Sequence, residues 1–325
     1  MKIKDTDYLY ATMRVRVNEN SLLTAQAAER MIEAKTPEEA AKVLADAGYR
    51  DASARSFSEI EKVLREKRLE TFALIDEICE NKHILEVFAL RYDFHNIKTV
   101  IKSALTGQDP EPLFADGATI DPAKLLAAYR ADELSEIPEE MARAIAEARE
   151  TLSHTGDAQY ADFVLDRAYF DMLAKSAKES GSEFLVGYVA LLSDIANLRS
   201  AVRTYRRGKD AAILRDCLVG GGNIAESVFL SYDFESGFSS TPFAEVAAYA
   251  KETADGKRGF LEFERELDNV LIRYMKSAKY VAYGEKPIVA YIAARENEAM
   301  MIRIIMAGKL EGLAPDEIRS RLRVF

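Results

Sequence analysis

Apolar residues recur three and four positions apart along most of this chain, and the strict alternation of a half-buried strand is hard to find. Ala, Leu, Glu, Lys and Arg fill the long segments, and these are strong helix formers. The eight prolines fall mostly at segment edges. Pro37 follows Thr36 and precedes Glu38 and Glu39, which predicts a helix start with Thr36 as N-cap. Pro122 after Asp121, Pro138 after Ile137 and Pro315 after Ala314 read the same way. Stretches rich in Gly and Pro at 107–122, 208–222, 236–242, 255–259 and 284–287 punctuate the helices. The pattern predicts an all-α chain, with no strand–helix succession that would build an α/β sheet.

One signal stands above the periodicity. Residues 90–107 (LRYDFHNIKTVIKSALTG) match residues 191–208 (LLSDIANLRSAVRTYRRG) at an offset of 101 with no gap. The pairs Leu90/Leu191, Asp93/Asp194, Asn96/Asn197 and Gly107/Gly208 are identical, and Lys98/Arg199 and Lys102/Arg203 keep the charge. The stripe Leu90, Phe94, Ile97, Ile101 registers with Leu191, Ile195, Leu198, Val202, which is one helix face. Residues 291–308 repeat the pattern a further 100 positions on, with Asn297, Arg303 and Gly308 at the shared places. That copy has Ala294 in place of the Asp, and Arg295 and Glu298 where the other two are apolar. The period divides the chain into three helical units, 1–112, 113–215 and 216–325. A looser repeat pairs Asp166 with Asp268. Each Asp and Asn lie three apart on one face, so they are expected to cap or bridge to a neighbouring helix. Each Gly is expected to end its helix at C′, with positive φ.

Composition narrows the function. The 325 residues are 48% hydrophobic and 30% charged, a globular balance with ample material for a core. A net charge of −10 makes a poor nucleic-acid binder. Two cysteines, Cys79 and Cys217, cannot form a disulfide framework. The longest charge-free run is residues 184–193, against about 20 apolar residues for a bilayer span. The first residues carry no apolar signal core. The expectation is a soluble cytoplasmic protein that meets a membrane only through a partner.

Catalytic signatures are missing. No Gly-Lys pair is followed by Ser or Thr, and no GxGxxG occurs. Gly220, Gly221 and Gly222 read as a turn. Glu80 and His83 have the spacing of one half of a di-iron site, and there is no second half. Neither a catalytic centre nor a metal or cofactor is expected. Charge is segregated instead. Residues 109–140 carry nine acids against two bases, and residues 197–215 carry six bases against one acid. Arg199, Arg203, Arg206, Arg207, Lys209 and Arg303 are therefore candidates for a partner contact. Arg295 and Glu298 join them, because in an apolar stripe they must either pair inside or mark an interface. The run from Arg319 to Phe325 adds further positive charge.

With these residues in view, the chain resembles the C-subunit family of the A/V-type ATP synthases, relatives of the d-subunit of the eukaryotic V-ATPase. The resemblance rests on Tyr8, Tyr10, Arg14-Val15-Arg16 and Leu22-Leu23, then Leu44 and Tyr49, then Arg91 through Lys98. It continues with Asp166, Tyr169-Phe170, Asp194, Asn197-Leu198-Arg199 and Gly221 through Ile224. It closes with Pro287-Ile288, Tyr291, Glu296-Asn297-Glu298, Arg303 and Gly308-Lys309. The resemblance implies three similar helical domains in a pseudo-threefold, funnel-shaped arrangement. It implies a monomer present once per complex, peripheral on the cytoplasmic face, touching central-shaft subunits and the membrane rotor ring. It also implies a coupling role without catalysis. The alternative is a freestanding helical-repeat scaffold, which would form an open superhelix.

Overall fold

The computed structural model describes residues 4–49 and 56–324; residues 1–3, 50–55 and 325, among them the outer limits of the predicted units 1–112 and 216–325 and the last residue of the Arg319–Phe325 run, lie outside it. Helices follow one another as α1 (Leu9–Glu19), α2 (Ala25–Glu33), α3 (Pro37–Asp46), α4 (Phe57–Ile78), α5 (Lys82–Thr106), α6 (Pro122–Ala131), α7 (Glu139–Thr155) and α8 (Ala158–Glu179). The remainder are α9 (Glu183–Arg206), α10 (Ala211–Cys217), α11 (Glu226–Ser231), α12 (Ala247–Ala254), α13 (Phe260–Lys276), α14 (Glu285–Leu310) and α15 (Pro315–Arg321). There is no strand among the described residues. The cap chemistry read from the sequence is in place at Thr36 and Asp121, whereas Pro138 is itself the N-cap of α7 and not a first-turn residue. Thr36 accepts from the Glu39 amide, and Asp121 accepts from the amides of Ala123 and Lys124. Pro37, Pro122 and Pro315 occupy first-turn positions, where the missing N–H costs nothing.

The helices gather into two compact bodies. A terminal body is built from Met1–Glu80 and Phe238–Phe325, and a central body from Asn81–Gly237. In the terminal body α14 packs against α1, α2, α3, α4 and α13. Its core interleaves Met31, Ile32, Leu44 and Ile60 with Ile302 and Ile305, all essentially without solvent contact. The two ends of the sequence therefore share one core, and burying it is the main force joining them.

In the central body α8 packs against α5, α7 and α9. Phe88 stacks on Tyr188 with ring centroids 5.4 Å apart. By length and composition α9 is the one described helix long and apolar enough to cross a membrane, and 61% of that stretch is buried within the protein. Its apolar residues are core contacts to α8, α10 and α11. Lys98 and Lys102 reach from α5 to Asp166 (2.6 Å) and Asp162 (2.9 Å) on α8.

The repeated glycines have unlike roles. Gly107 caps α5 with φ 69°, as expected of a C′ glycine. Gly208 also has positive φ, 120°, one residue beyond the cap of α9. Gly308 departs from the expectation. It lies inside α14, which runs on to Leu310, and the positive-φ position is Gly312. A Cβ on Gly308 would stand 2.7 Å from Cγ1 of Ile318, so glycine is required there for close approach of α15. Gly308→Ala is expected to destabilise the protein by about 1–3 kcal/mol through overpacking. Chemical denaturation would show it.

Candidate functional site

The repeated Asp and Asn do not bridge to a neighbouring helix. They hold irregular backbone further along the chain, between α5 and α6 in the first copy and between α10 and α11 in the second. On α5, Asn96 Nδ2 donates to the Ala115 carbonyl (2.9 Å), and Asn96 Oδ1 accepts from the Ala115 amide (2.8 Å). On α9, Asn197 Nδ2 donates to the Val219 carbonyl (2.9 Å), and Oδ1 accepts from the Val219 amide (2.8 Å). A side-chain amide here does what a neighbouring strand does, satisfying both groups of one residue. The carboxylates act a few residues further on. Asp93 accepts from the amides of Thr119 and Ile120 (2.9 Å each) and from the Thr119 hydroxyl (3.0 Å). Asp194 accepts from the amides of Asn223 (3.0 Å) and Ile224 (3.1 Å).

The two grips match in geometry although their loops differ in length. The Asn partner lies 19 residues on in the first copy and 22 in the second. The triple glycine accommodates the second. Gly221 turns the chain with φ 85°, and a Cβ at Gly222 would collide with Asp194 Oδ1. All four gripping side chains are buried. Burial pushes the carboxyls of Asp93 and Asp194 above their ordinary range, and the donated backbone hydrogen bonds only partly offset this.

The third copy uses other residues for a similar task. Ala294 carries no carboxylate, and Asn297 Oδ1 is buried with no hydrogen-bond partner. Arg295 and Glu298 do the gripping, and their object is the segment after α1. The Arg295 guanidinium donates to the carbonyls of Ser21 (3.2 Å) and Asn18 (3.3 Å), to the Ser21 hydroxyl and to the Tyr291 hydroxyl (3.1 Å). Glu298 accepts from the Leu23 amide (2.5 Å) and pairs with Arg295 at 2.7 Å. Both side chains are almost wholly buried, with exposures of 5% and 4%. Burial acts to lower the Arg295 pKa, and the Glu298 carboxylate outweighs it, holding the guanidinium charged. The expectation that this pair faces a partner therefore gives way: their hydrogen-bonding groups are used inside the terminal body. Arg303 is half-buried and forms a two-pronged ion pair with Glu61 (2.5 and 3.0 Å), tying α14 to α4.

The basic segment is different. Arg203, Arg206, Arg207 and Lys209 are exposed around the end of α9, and Arg199 is half-buried. Lys209 stands 4.2 Å over the Tyr205 ring. This is a charged surface suited to a separable polar contact. Sequence reasoning missed two ties to the segment after α15. Arg323 pairs with Asp268 (2.8 Å), and the Val324 amide donates to Asn269 Oδ1 (2.9 Å). The Asp166/Asp268 match was the one signal that pointed there.

Two clefts among the described residues are small. One in the terminal body, lined by Tyr49, Lys67, Arg295 and Arg303, holds about 20 Å³. One in the central body, between Glu86, Glu140 and Lys175, holds about 130 Å³. Small-molecule sites usually need ~300 Å³ or more. Among the described residues no group of three or more His, Cys, Asp or Glu side chains is placed to hold a metal ion.

Removing a grip should be costly only where it is engaged. Asn96→Ala and Asn197→Ala are each expected to cost about 1–3 kcal/mol, because a half-buried (Ala115) or buried (Val219) amide and carbonyl lose their partner. Asn297→Ala is expected to fall within about 0.5 kcal/mol of the parent; urea unfolding of the three variants makes the comparison. The raised carboxyls give a pH dependence of known sign. A group whose folded pKa exceeds its unfolded value of 3.8 contributes stability fully below that value and loses it as pH rises through the folded one. Carbon-13 carboxyl titration should place Asp93 and Asp194 above 3.8, and Asp93→Asn should flatten the fall of stability on the alkaline side of that value.

Comparison with known proteins identifies the family. Residues 11–321 match the family model described as ATP synthase (C/AC39) subunit. The C-subunit of the A-type ATP synthase of Methanocaldococcus jannaschii is 27% identical over 360 aligned positions, covering 99% of this chain and 88% of the relative. The C-subunit of the V-type sodium ATPase of Enterococcus hirae is 22% identical over 314 positions, covering 95% and 96%. The corresponding A-type ATP synthase protein of Thermococcus kodakarensis is 25% identical over 335 positions, covering 98% and 90%. With nearly the whole chain matched, the protein belongs to the ATP synthase C/AC39 family, a structural and non-catalytic component of the rotary ATPases.

Proposed function

We propose that this chain is the central-stalk rotor component that couples the shaft of an A/V-type ATPase to its membrane ring. The observation that carries the reading is the family match over residues 11–321, with relatives aligned along 95–99% of the chain. In this reading one copy sits on the cytoplasmic face and meets the membrane through the ring. Its three repeat units, 1–112, 113–215 and 216–325, stand in a pseudo-threefold, funnel-shaped arrangement around the foot of the shaft.

The physical features suit that work. A torque adaptor must not shear internally, and closely packed helices resist deformation. The irregular connections of such a framework are its weak places, and here they are pinned by buried side chains. The contacts to moving partners should be polar and separable. The exposed Arg203, Arg206, Arg207 and Lys209 offer one such surface for an acidic partner.

Capture of the tagged chain from mildly solubilised native membranes should recover head, shaft and ring proteins, identified by mass. Recovery of the chain alone would overturn the reading. The double reversal Arg206→Glu with Arg207→Glu should weaken shaft assembly ~tenfold or more at low salt, where charge steering is strongest, while the helical circular dichroism stays unchanged.

A further inference from the structure

Helix α1 turns one apolar face inward and another outward. Ala11 and Val15 are buried in the terminal body, while Leu9, Met13 and Val17, a turn apart on the other side, are 48%, 65% and 67% exposed. Tyr10 widens the outer face, and the segment between α13 and α14 borders it with the exposed Tyr280 and Tyr283. That segment is fixed against α1 and runs in the opposite direction. Arg16 donates to the Val281 carbonyl (2.6 Å), and Thr12 donates to the Gly284 carbonyl (3.1 Å). A Cβ built at Gly284 would stand 3.6 Å from Asp5 Oδ1. Residues 276–279 therefore lie towards the C-terminal end of α1, and Glu285 and Lys286 lie towards its N-terminal end.

The charged groups around this face divide by sign along the helix. At the N-terminal end stand Asp5, Asp7 and Glu285, with Lys4 and Lys286 beside them. At the other end stand Lys276 and Lys279, with Arg14 and Arg16. Glu19 there is taken up by Arg16 (2.8 Å), and Glu77 of α4 lies 3.8 Å from Arg14. With all of these counted, the first end is net negative and the second net positive. A border of one sign would select a partner of the opposite sign. A border that changes sign from end to end is matched by its own copy turned end for end. The area agrees. The six outer side chains expose on the order of 700 Å², more than the ~300–600 Å² of the largest apolar patch on an ordinary monomer. Two such faces together would bury about 1,400 Å², within the ~1,200–2,000 Å² of a stable interface. Tyr and Met are enriched in such contacts.

We infer that two copies of the free chain pair through the outer face of α1 and the 276–286 segment, across a two-fold axis near Met13 with their α1 helices antiparallel. Met13 then meets its counterpart, and its flexible thioether adapts to the symmetric contact. Leu9 of each copy meets Val17 of the other, and Asp5 and Asp7 face the second copy's Lys276 and Lys279, twice over. The inference concerns the chain before assembly and does not rest on the rotor reading. A single copy per complex requires the pair to part on assembly, so the contact covers the apolar face only while the chain is free.

Sedimentation equilibrium of the full chain, from about 1 to 100 µM, tests this. The parent should pass from monomer to dimer across that range. Met13→Ser/Val17→Ser should weaken the pairing ~tenfold or more. Lys276→Glu/Lys279→Glu makes both ends of the face acidic, and Asp5→Lys/Asp7→Lys makes both ends basic. Each of these alone should pair ~tenfold more weakly than the parent, and an equal mixture of the two should recover the dimer. All the substituted positions are exposed, so the variants should fold, as circular dichroism and urea unfolding of the dilute chains would verify. A parent that stays monomeric throughout would overturn the inference. So would a dimer that Met13→Ser/Val17→Ser leaves unchanged, which would place the contact elsewhere, or a mixture that fails to recover it, which would rule out the antiparallel two-fold. A monomeric parent that floats with phosphatidylglycerol vesicles, and loses this in Met13→Ser/Val17→Ser, would make the occupant a lipid surface. Capture from native membranes, which tests the rotor reading, stands apart from all these outcomes.

Discussion

A buried backbone amide or carbonyl must find a partner, and in a chain of helices the difficulty arises between the helices. The irregular segments between α5 and α6 and between α10 and α11 carry backbone that no helix ladder satisfies. The chain meets this constraint with side chains from the long helices α5 and α9: an Asn that pairs with one residue's amide and carbonyl, and an Asp that collects the amides a few residues later. In the terminal body Arg295 and Glu298 take over, holding the turn after α1. These polar groups are fully engaged, which is why they can lie in a core at all.

The helical class and the repeat were legible because both depend on local pattern. Thr36, Asp121 and the flanking prolines announce helix starts by chemistry acting within a few residues. The Asp–Asn pair was legible as a pair, but its object was not. Nothing local in Ala115 or Val219 marks a residue as gripped, and the separation differs between copies. Arg295 and Glu298 were recognisable as misfits in an apolar stripe; their partners lie 274 and 275 residues away and emerge only from the fold. Gly308 was misread because a C-terminal glycine and a close-approach glycine look alike in sequence. The collision with Ile318 that distinguishes them is tertiary. The inner face of α1 was hidden for the opposite reason, since Ala11 and Val15 are buried while Leu9, Met13 and Val17 are exposed. With apolar side chains on two faces, the helix shows no single moment from which to tell inside from outside.

Period and compactness are separate properties of this chain. The repeat counts long helices with their following connections, whereas the compact bodies are set by which apolar faces cover each other. Helix α14 belongs to the third copy by sequence, and its core partners are α1 to α4. A repeated element can thus keep its place in the period while its polar residues are reassigned. Arg295 and Glu298 in place of two apolar residues are that reassignment.

The terminal body also imposes an order of events during synthesis. Its first half, through Glu80, holds α1 to α4, and the helix that covers them begins only at Glu285. At ~5–20 residues per second, the apolar faces of these early helices wait on the order of ten seconds or more for α14. The central body, contiguous from Asn81 to Gly237, has all its own parts available before then. The nascent chain thus completes its middle first and joins its two ends last, which makes the early helices the stretch most in need of shielding while the ribosome is still at work.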